Sequence, residues 1–147
     1  MLSWLFSQPL TVGDAAPGFS LSDQDGNTVS LGSLAGKNVV LVFYPADETS
    51  VCTKQLCEFR DSWAAAQEKD AVVFGVNPGR AQKHAAFRSH HRFPFALLVD
   101  QGQHVAALYH ANGLIVKRTV YLIGKTGIIR YARRGKPDPQ EVLAAAE

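Results

Sequence analysis

A continuous apolar run, NVVLVFY from Asn38 to Tyr44, constrains the fold of this chain more than any other feature. It is rich in valine and shows no alternation with polar residues, which is typical of a strand buried on both faces of a parallel or mixed sheet. Pro45 follows and ends the strand, because proline cannot continue a central strand. Other strands must therefore flank this one, and helices must cover both of its faces.

A helical period begins a few residues after this strand. Its stripe is marked by Cys52, Leu56, Phe59 and Trp63, which predicts one helix running to about Glu68. The chain thus passes from a buried strand, through a short loop, into a helix that carries a cysteine near its start.

Strands and helices alternate along the rest of the chain. We expect a hairpin around Asp25-Gly26-Asn27 and a helix whose inner side carries Ala81, Ala85 and Phe87. Further strands are predicted at 71–77, 95–100, 118–124 and 127–133, and further helices at 79–91, 103–111 and 137–146. This order predicts an α/β fold: a thioredoxin-like mixed sheet flanked by helices, with an extra N-terminal β-hairpin.

Length and charge narrow the function classes. The 147 residues predict a single domain over 1–147, with 1–10 as an apolar N-terminal arm. Fifteen Lys and Arg against 13 Asp and Glu give a net charge of +2, too balanced for nucleic acid or an anionic membrane as the main partner. The arm has no signal-peptide pattern, so we predict a cytoplasmic, reducing location.

Cys52 lies where a buried strand gives way to a helix. Ligands bind at the carboxyl edge of such sheets, and the first helical turn offers unpaired N–H groups and a positive dipole end that favour a thiolate. Thr49 is placed to hydrogen-bond the sulfur or a substrate oxygen, and Pro45 to shield the sulfur from water. The structural alternative is a loop proline, an N-cap threonine and a buried, inert cysteine.

Cys57 is the second of only two cysteines. Five helical positions from Cys52 correspond to a rotation of about 140° and a Cα separation of roughly 8–9 Å. A disulfide requires less than about 7 Å, so the two thiols cannot bond while the helix is intact. The spacing also differs from the C-x-x-C of disulfide oxidoreductases, and two cysteines supply half of a tetrahedral metal site. A transient disulfide, formed when the helix unwinds, remains open.

The pattern P-x-x-x-T-x-x-C, formed by Pro45, Thr49 and Cys52, resembles the active-site signature of peroxiredoxins. The second cysteine within CTKQLCEFRD is similar to the PrxQ branch, also called bacterioferritin comigratory protein. The likeness extends over VGDAAPGFSLSDQDGNTVSL, FPFALLVDQGQHVAALY and RTVYLIGKTGIIRYAR. One departure is Ser50-Val51, where branch members often have Pro-Gly.

The resemblance implies reduction of hydrogen peroxide or organic hydroperoxides. By it, Cys52 is the peroxidatic cysteine and Cys57 the resolving one, joined in a transient disulfide that thioredoxin or a similar dithiol reductant opens. Thr49 and Arg118 would orient the sulfur and the peroxide, and Pro45 would line the pocket. No cofactor is implied, and we expect a monomer or weak homodimer.

Two other functions remain open: a thioredoxin-like disulfide reductase, and a redox-sensing or chaperone-like protein. The histidines add a metal hypothesis. Their spacing matches no compact ligand motif, and they fall on predicted surface helices, so we predict no metal site. They are His84, His90, His91, His104 and His110.

Overall fold

The computed structural model describes residues 7–147. Of the predicted N-terminal arm, residues 1–6 lie outside the described residues, and the rest packs on the domain, where the Leu10 N–H donates to the Tyr121 hydroxyl at 2.9 Å. The strands are β1 (Ser20–Asp23), β2 (Thr28–Ser30), β3 (Asn38–Phe43), β4 (Ala71–Asn77), β5 (Ala96–Val99), β6 (Thr119–Ile123) and β7 (Ile129–Arg134). Over the described residues they form one seven-stranded sheet in the order β2-β1-β5-β4-β3-β6-β7.

The predicted apolar strand β3 lies inside this sheet. It pairs in parallel with β4 and antiparallel with β6, and β4 pairs in parallel with β5. The N-terminal hairpin of β1 and β2 extends the β5 edge, and β7 closes the other edge. The prediction of a mixed, thioredoxin-like sheet with an extra N-terminal hairpin is confirmed.

The helices are α1 (Ser50–Asp61), α2 (Trp63–Glu68), α3 (Ala81–His91), α4 (His104–Leu108) and α5 (Pro139–Leu143). The prediction of one helix from Cys52 to about Glu68 is wrong, since the chain leaves helical geometry at Ser62 (φ −98°, ψ 11°). The Ser62 N–H is shared between the carbonyl of Glu58, its helical partner, and that of Phe59, one residue closer, as is common at the end of a helix. No helix within residues 7–147 is long and apolar enough to cross a membrane.

Alternate residues of β3 enter two different cores, one on each face of the sheet. Val40, Val42 and Tyr44 lie in the cysteine-side core, with Cys52 and with apolar residues of α1, α2, α3 and α5. The other core, the hairpin-side core, is built on the remaining β3 side chains, namely Val39, Leu41 and Phe43, and contains residues of α4. The Cys52 sulfur thus belongs to one face of the sheet only.

The inner side of α3 differs from the prediction. Phe87 is buried as expected, whereas Ala81 and Ala85 are only partly covered. His84 is fully buried, so the prediction that the histidines lie on surface helices is wrong for this residue. His110 lies just past the end of α4, in a turn.

Candidate active site

Cys52 is the third residue of α1, and its side chain is fully buried. Its sulfur accepts a hydrogen bond from Arg118 Nη2 at 3.2 Å. Arg118 comes directly before β6, and pairing of Phe43 with Thr119 brings it beside the end of β3, where the loop to α1 begins. Two residues 66 positions apart therefore meet because antiparallel neighbours in the sheet carry them to the same edge.

A second contact holds the guanidinium in place. Arg118 Nη1 donates to Gln55 Oε1 at 2.8 Å, and Gln55 Nε2 donates to the Gly135 carbonyl at 3.4 Å. Gln55 is fully buried and was not predicted, although its position three residues after Cys52 places it on the same face of the helix. Cys52, Gln55 and Arg118 are called the sulfur cluster below.

Cys52 lies in the first turn of α1. The first intrahelical bond runs from Thr53 N to the Thr49 carbonyl at 2.8 Å, so the N–H groups of 50–52 precede the helical ladder. These groups carry the positive end of the helix dipole. Together with Arg118, they provide donors for a negative charge on the sulfur or on a bound oxygen.

Thr49 and Pro45 lie at the two ends of the loop before α1. The Thr49 hydroxyl donates to the Ala46 carbonyl at 3.0 Å, so its one proton is not given to the sulfur in this conformation, although its oxygen can still accept. Pro45 is partly buried, and its carbonyl accepts from Asn77 Nδ2 at 2.7 Å. The structure thus brings both residues to the loop that precedes Cys52.

Cys57 lies in the same intact helix, and both thiols are free. With five helical positions between them, their Cα atoms are about 8–9 Å apart, beyond disulfide reach. Cys57 is partly buried, and this burial raises its thiol pKa; the nearby Arg60 charge lowers it, and Asp61 raises it. A reaction between the two sulfurs therefore requires α1 to open.

Similarity to known proteins identifies the family of this chain. Residues 12–132 match the AhpC/TSA family. The chain belongs to the AhpC/TSA family. The predicted resemblance to the PrxQ branch of the peroxiredoxins is also confirmed by the relatives.

Two plant relatives and one solved structure illustrate the likeness. Peroxiredoxin Q, chloroplastic, of Triticum aestivum is 41% identical over 133 residues, which is 88% of this chain and 61% of the relative. Its namesake of Arabidopsis thaliana is 38% identical over 144 residues, 95% of this chain and 67% of the relative. The crystal structure of peroxidoxin BcpB from Mycobacterium tuberculosis superposes with a TM-score of 0.87 at 32% identity, covering 92% of this chain and 96% of that one.

This AhpC/TSA member carries a second polar cluster beneath the same loop. Asp47 is buried and accepts from the Tyr44 hydroxyl at 2.6 Å, and its other oxygen lies 2.6 Å from His84 Nδ1. His84 Nε2 faces the carbonyls of Asn77 and Leu98 at 3.3 and 3.1 Å, so this nitrogen must carry a proton. Tyr44, Asp47 and His84 are called the loop cluster.

Burial keeps the Tyr44 hydroxyl of the loop cluster protonated. The pKa of Tyr44 is raised well above its ordinary value, mainly by burial and then by the charge and hydrogen bond of Asp47. Tyr44 therefore remains a donor to Asp47. Asn77 fixes the same loop from below, since its Nδ2 donates to the carbonyls of Tyr44 and Pro45, each at 2.7 Å.

Sequence reasoning missed the loop cluster. The signal was present in α3, where His84 lies three residues from both Ala81 and Phe87 and hence on the inward stripe. A histidine at such a position needs buried hydrogen-bond partners. Asp47, in the loop that follows Pro45, is the partner that the fold supplies.

A cavity of about 320 Å³ lies at the other end of β3, away from this chemistry. It is lined by residues of the 3₁₀ turn at 31–34 and of the β6–β7 turn, with Val39 and Ile123 at its base. It shares no residue with either polar cluster. The candidate site is therefore recognised by its sulfur and the hydrogen-bond donors around it, and not by a cavity.

Proposed function

We propose that this chain is a thiol-dependent peroxidase that reduces hydrogen peroxide and organic hydroperoxides through Cys52. The observation that carries the proposal is the 3.2 Å hydrogen bond from Arg118 to the buried Cys52 sulfur at a helix start. Membership of the AhpC/TSA family and the likeness to proteins named peroxiredoxin Q support it. The chain spans 61% of the length of the Triticum aestivum relative, and the activity is therefore proposed for the domain in hand.

In the first step the Cys52 thiolate attacks one peroxide oxygen. A sulfur–oxygen bond forms, the oxygen–oxygen bond breaks, and the departing oxygen leaves with the electron pair and takes a proton to become water or an alcohol. The sulfur is oxidised to a sulfenic acid. Arg118 and the N–H groups of 50–52 stabilise the charge that develops on the departing oxygen, with Thr49 and Pro45 shaping the approach.

In the second step Cys57 resolves the sulfenic acid. The Cys57 sulfur attacks the Cys52 sulfur, a disulfide forms, and the hydroxyl leaves as water with the thiol proton. The separation in the intact helix forbids this step, so α1 must unwind over the turns that hold the two cysteines. The intramolecular disulfide is thus a transient state and not a staple of the fold.

In the third step a dithiol protein such as thioredoxin attacks the disulfide and is itself oxidised, which restores both thiols. Sulfur performs every redox step, so the proposed cycle uses no cofactor. The cytoplasmic location and the monomer or weak homodimer stay predictions, and the plant relatives are named as chloroplastic proteins.

The test is peroxide consumption coupled to thioredoxin, thioredoxin reductase and NADPH. Cys52→Ser should abolish turnover while the fold is retained, because a serine hydroxyl is not a nucleophile near neutral pH. Cys57→Ser is the matched control: it should consume one equivalent of peroxide and then stop as a sulfenic acid, which mass spectrometry detects. Turnover by the Cys52→Ser variant would remove Cys52 from its role.

The same assay separates the proposal from the other two functions. A disulfide reductase would reduce protein disulfides without consuming peroxide. A redox sensor or chaperone would react once and then alter client aggregation, with little turnover. The intact helix between the cysteines argues against the reductase, whose paired thiols are closer.

A further inference from the structure

We propose that Glu48, His90 and His91 form a binding site for a divalent transition-metal ion of the Zn²⁺ class, which clamps the active-site loop to the end of α3. Glu48 lies 42 positions from His90, so the spacing of the histidines alone does not reveal the site. The prediction of no metal site considered the histidines alone, by their spacing and their predicted surface positions. The fold brings the carboxylate to the two adjacent imidazoles.

The three side chains already converge on one point. Glu48 Oε1 lies 3.3 Å from His90 Nδ1 and 2.9 Å from His91 Nε2. One ligand atom from each residue lies within 4.8 Å of the others. Tetrahedral zinc with bonds of about 2.0–2.1 Å separates its ligand atoms by about 3.3 Å, close to the two observed contacts.

The donor set suits zinc. Two imidazole nitrogens and one carboxylate oxygen, with a fourth position left for water, are a common zinc combination. Side-chain exposures of 67% for His90, 39% for Glu48 and 20% for His91 leave a path for an ion to enter. Arg60 carries a positive charge near the site, which opposes the binding of a cation. Its Nη1 donates a hydrogen bond to the His91 carbonyl at 2.8 Å.

Neighbouring residues and the local backbone restrict the positions of two of the three ligand residues. The His91 ring packs edge-on against Phe87 and stacks with Phe93, at centroid distances of 5.3 and 5.6 Å. The backbone of Glu48 adopts a left-handed conformation, φ 61°, which a non-glycine residue adopts only when its surroundings fix it. Preorganised ligands reduce the ordering that a metal must impose.

A metal here would act on the neighbouring chemistry, and this part rests on the proposed function. Glu48 is followed by Thr49, the residue that caps α1, and Arg60 near the other end of α1 also contacts His91. A bound ion therefore joins the start of α1 to the end of α3. Since α1 must unwind before the two cysteines can bond, the ion should slow disulfide formation.

Binding is tested without the thiols, because cysteines also bind zinc. The Cys52→Ser/Cys57→Ser protein is titrated with ZnCl₂ by calorimetry and with CoCl₂ by visible absorption, which reports tetrahedral coordination. One equivalent should bind. Adding His90→Gln/His91→Gln should weaken binding by about tenfold or more, since even the loss of outer-shell partners costs about 10–100-fold.

The matched control is His104→Gln/His110→Gln in the same background, which alters two exposed histidines away from the cluster and should bind as the parent does. Circular dichroism establishes that each variant is folded. Absence of saturable binding, or equal binding by the His90/His91 variant and its parent, would overturn the site whatever the outcome of the peroxidase assay.

The clamp is tested by the rate of Cys52–Cys57 disulfide formation after one equivalent of peroxide, with and without ZnCl₂. Zinc should slow wild type and leave the His90→Gln/His91→Gln variant unchanged. Equal slowing of both would place zinc on the thiols, and no slowing of wild type would mean that the ion does not restrain α1; either result overturns the clamp.

Discussion

The sulfur cluster and the loop cluster lie under the same loop but are built differently. The sulfur cluster joins Arg118 to two residues of α1, the helix that must open during the proposed cycle. The loop cluster contains no residue of α1, since its members are Tyr44 just after β3, Asp47 in the loop and His84 in α3. In the proposed cycle the sulfur cluster therefore moves with α1, and the loop cluster stays in place.

The largest expected effect is on the fixed side. Removing one member of a buried hydrogen-bonded pair leaves the other unsatisfied and also opens a cavity, so His84→Ala should lower the free energy of unfolding by about 3–5 kcal/mol. Tyr44→Phe is the control and should cost about 1 kcal/mol, because it removes one hydrogen bond and little volume. Urea unfolding followed by circular dichroism measures both; similar small losses would mean that the loop cluster does not hold the loop.

On the mobile side, Arg118→Ala should slow the peroxide step by about 10²–10³-fold, as expected when a charge-stabilising donor is removed. Its effect on unfolding should be smaller than that of His84→Ala. Arg134→Ala is the control: Arg134 Nη1 contacts Thr119 Oγ1 at 2.8 Å and not the sulfur. Stopped-flow oxidation with hydrogen peroxide gives the rates, and equal rates for the two variants would place Arg118 outside the chemistry.

Oxidation should make the helix that carries the sulfur cluster more mobile and leave the strands beneath the loop cluster unchanged. In the disulfide form, amides 50–60 should exchange with deuterium faster than in the reduced form, because α1 loses its helical hydrogen bonds there. Amides of β3 and β4 should keep their protection. Exchange read by mass spectrometry in both redox states tests this, and equal protection of 50–60 would contradict an opening of α1.

The smallest effect concerns Cys57. Burial raises its pKa above the ordinary cysteine value, so less thiolate is present at neutral pH than on a free cysteine. In Cys52→Ser, alkylation of Cys57 by iodoacetamide should rise with pH and reach its midpoint above that of a model thiol. Arg60→Gln should shift the midpoint further upward, because the Arg60 charge opposes the effect of burial. A midpoint at or below that of the model thiol would show that burial does not suppress the thiolate.

The elements of the fold were predictable because their signals are local. The apolar run of β3, the helical stripe through Cys52 and the hairpin turn each depend on residues close in sequence. The helix break at Ser62 was missed because the apolar period continues across it to Trp63.

The site was predictable only in part. Cys52 was a candidate from its place between a strand and a helix, but the roles of both cysteines and of Arg118, which lies 66 positions from Cys52, came from the family resemblance. The Asp47–His84 contact spans 37 positions, and neither residue alone signals the other. Such contacts depend on strand order and helix placement, which no local pattern contains.

The break at Ser62 sets a boundary to the motion proposed here. Beyond it, Trp63 begins α2, and its ring lies 6.2 Å from that of Phe95, so α2 has a contact in the cysteine-side core that does not involve α1. The twelve residues of α1 can therefore melt as one cooperative unit while α2 stays docked. In the proposed cycle, oxidation would then open this one helix and leave the rest of the fold in place.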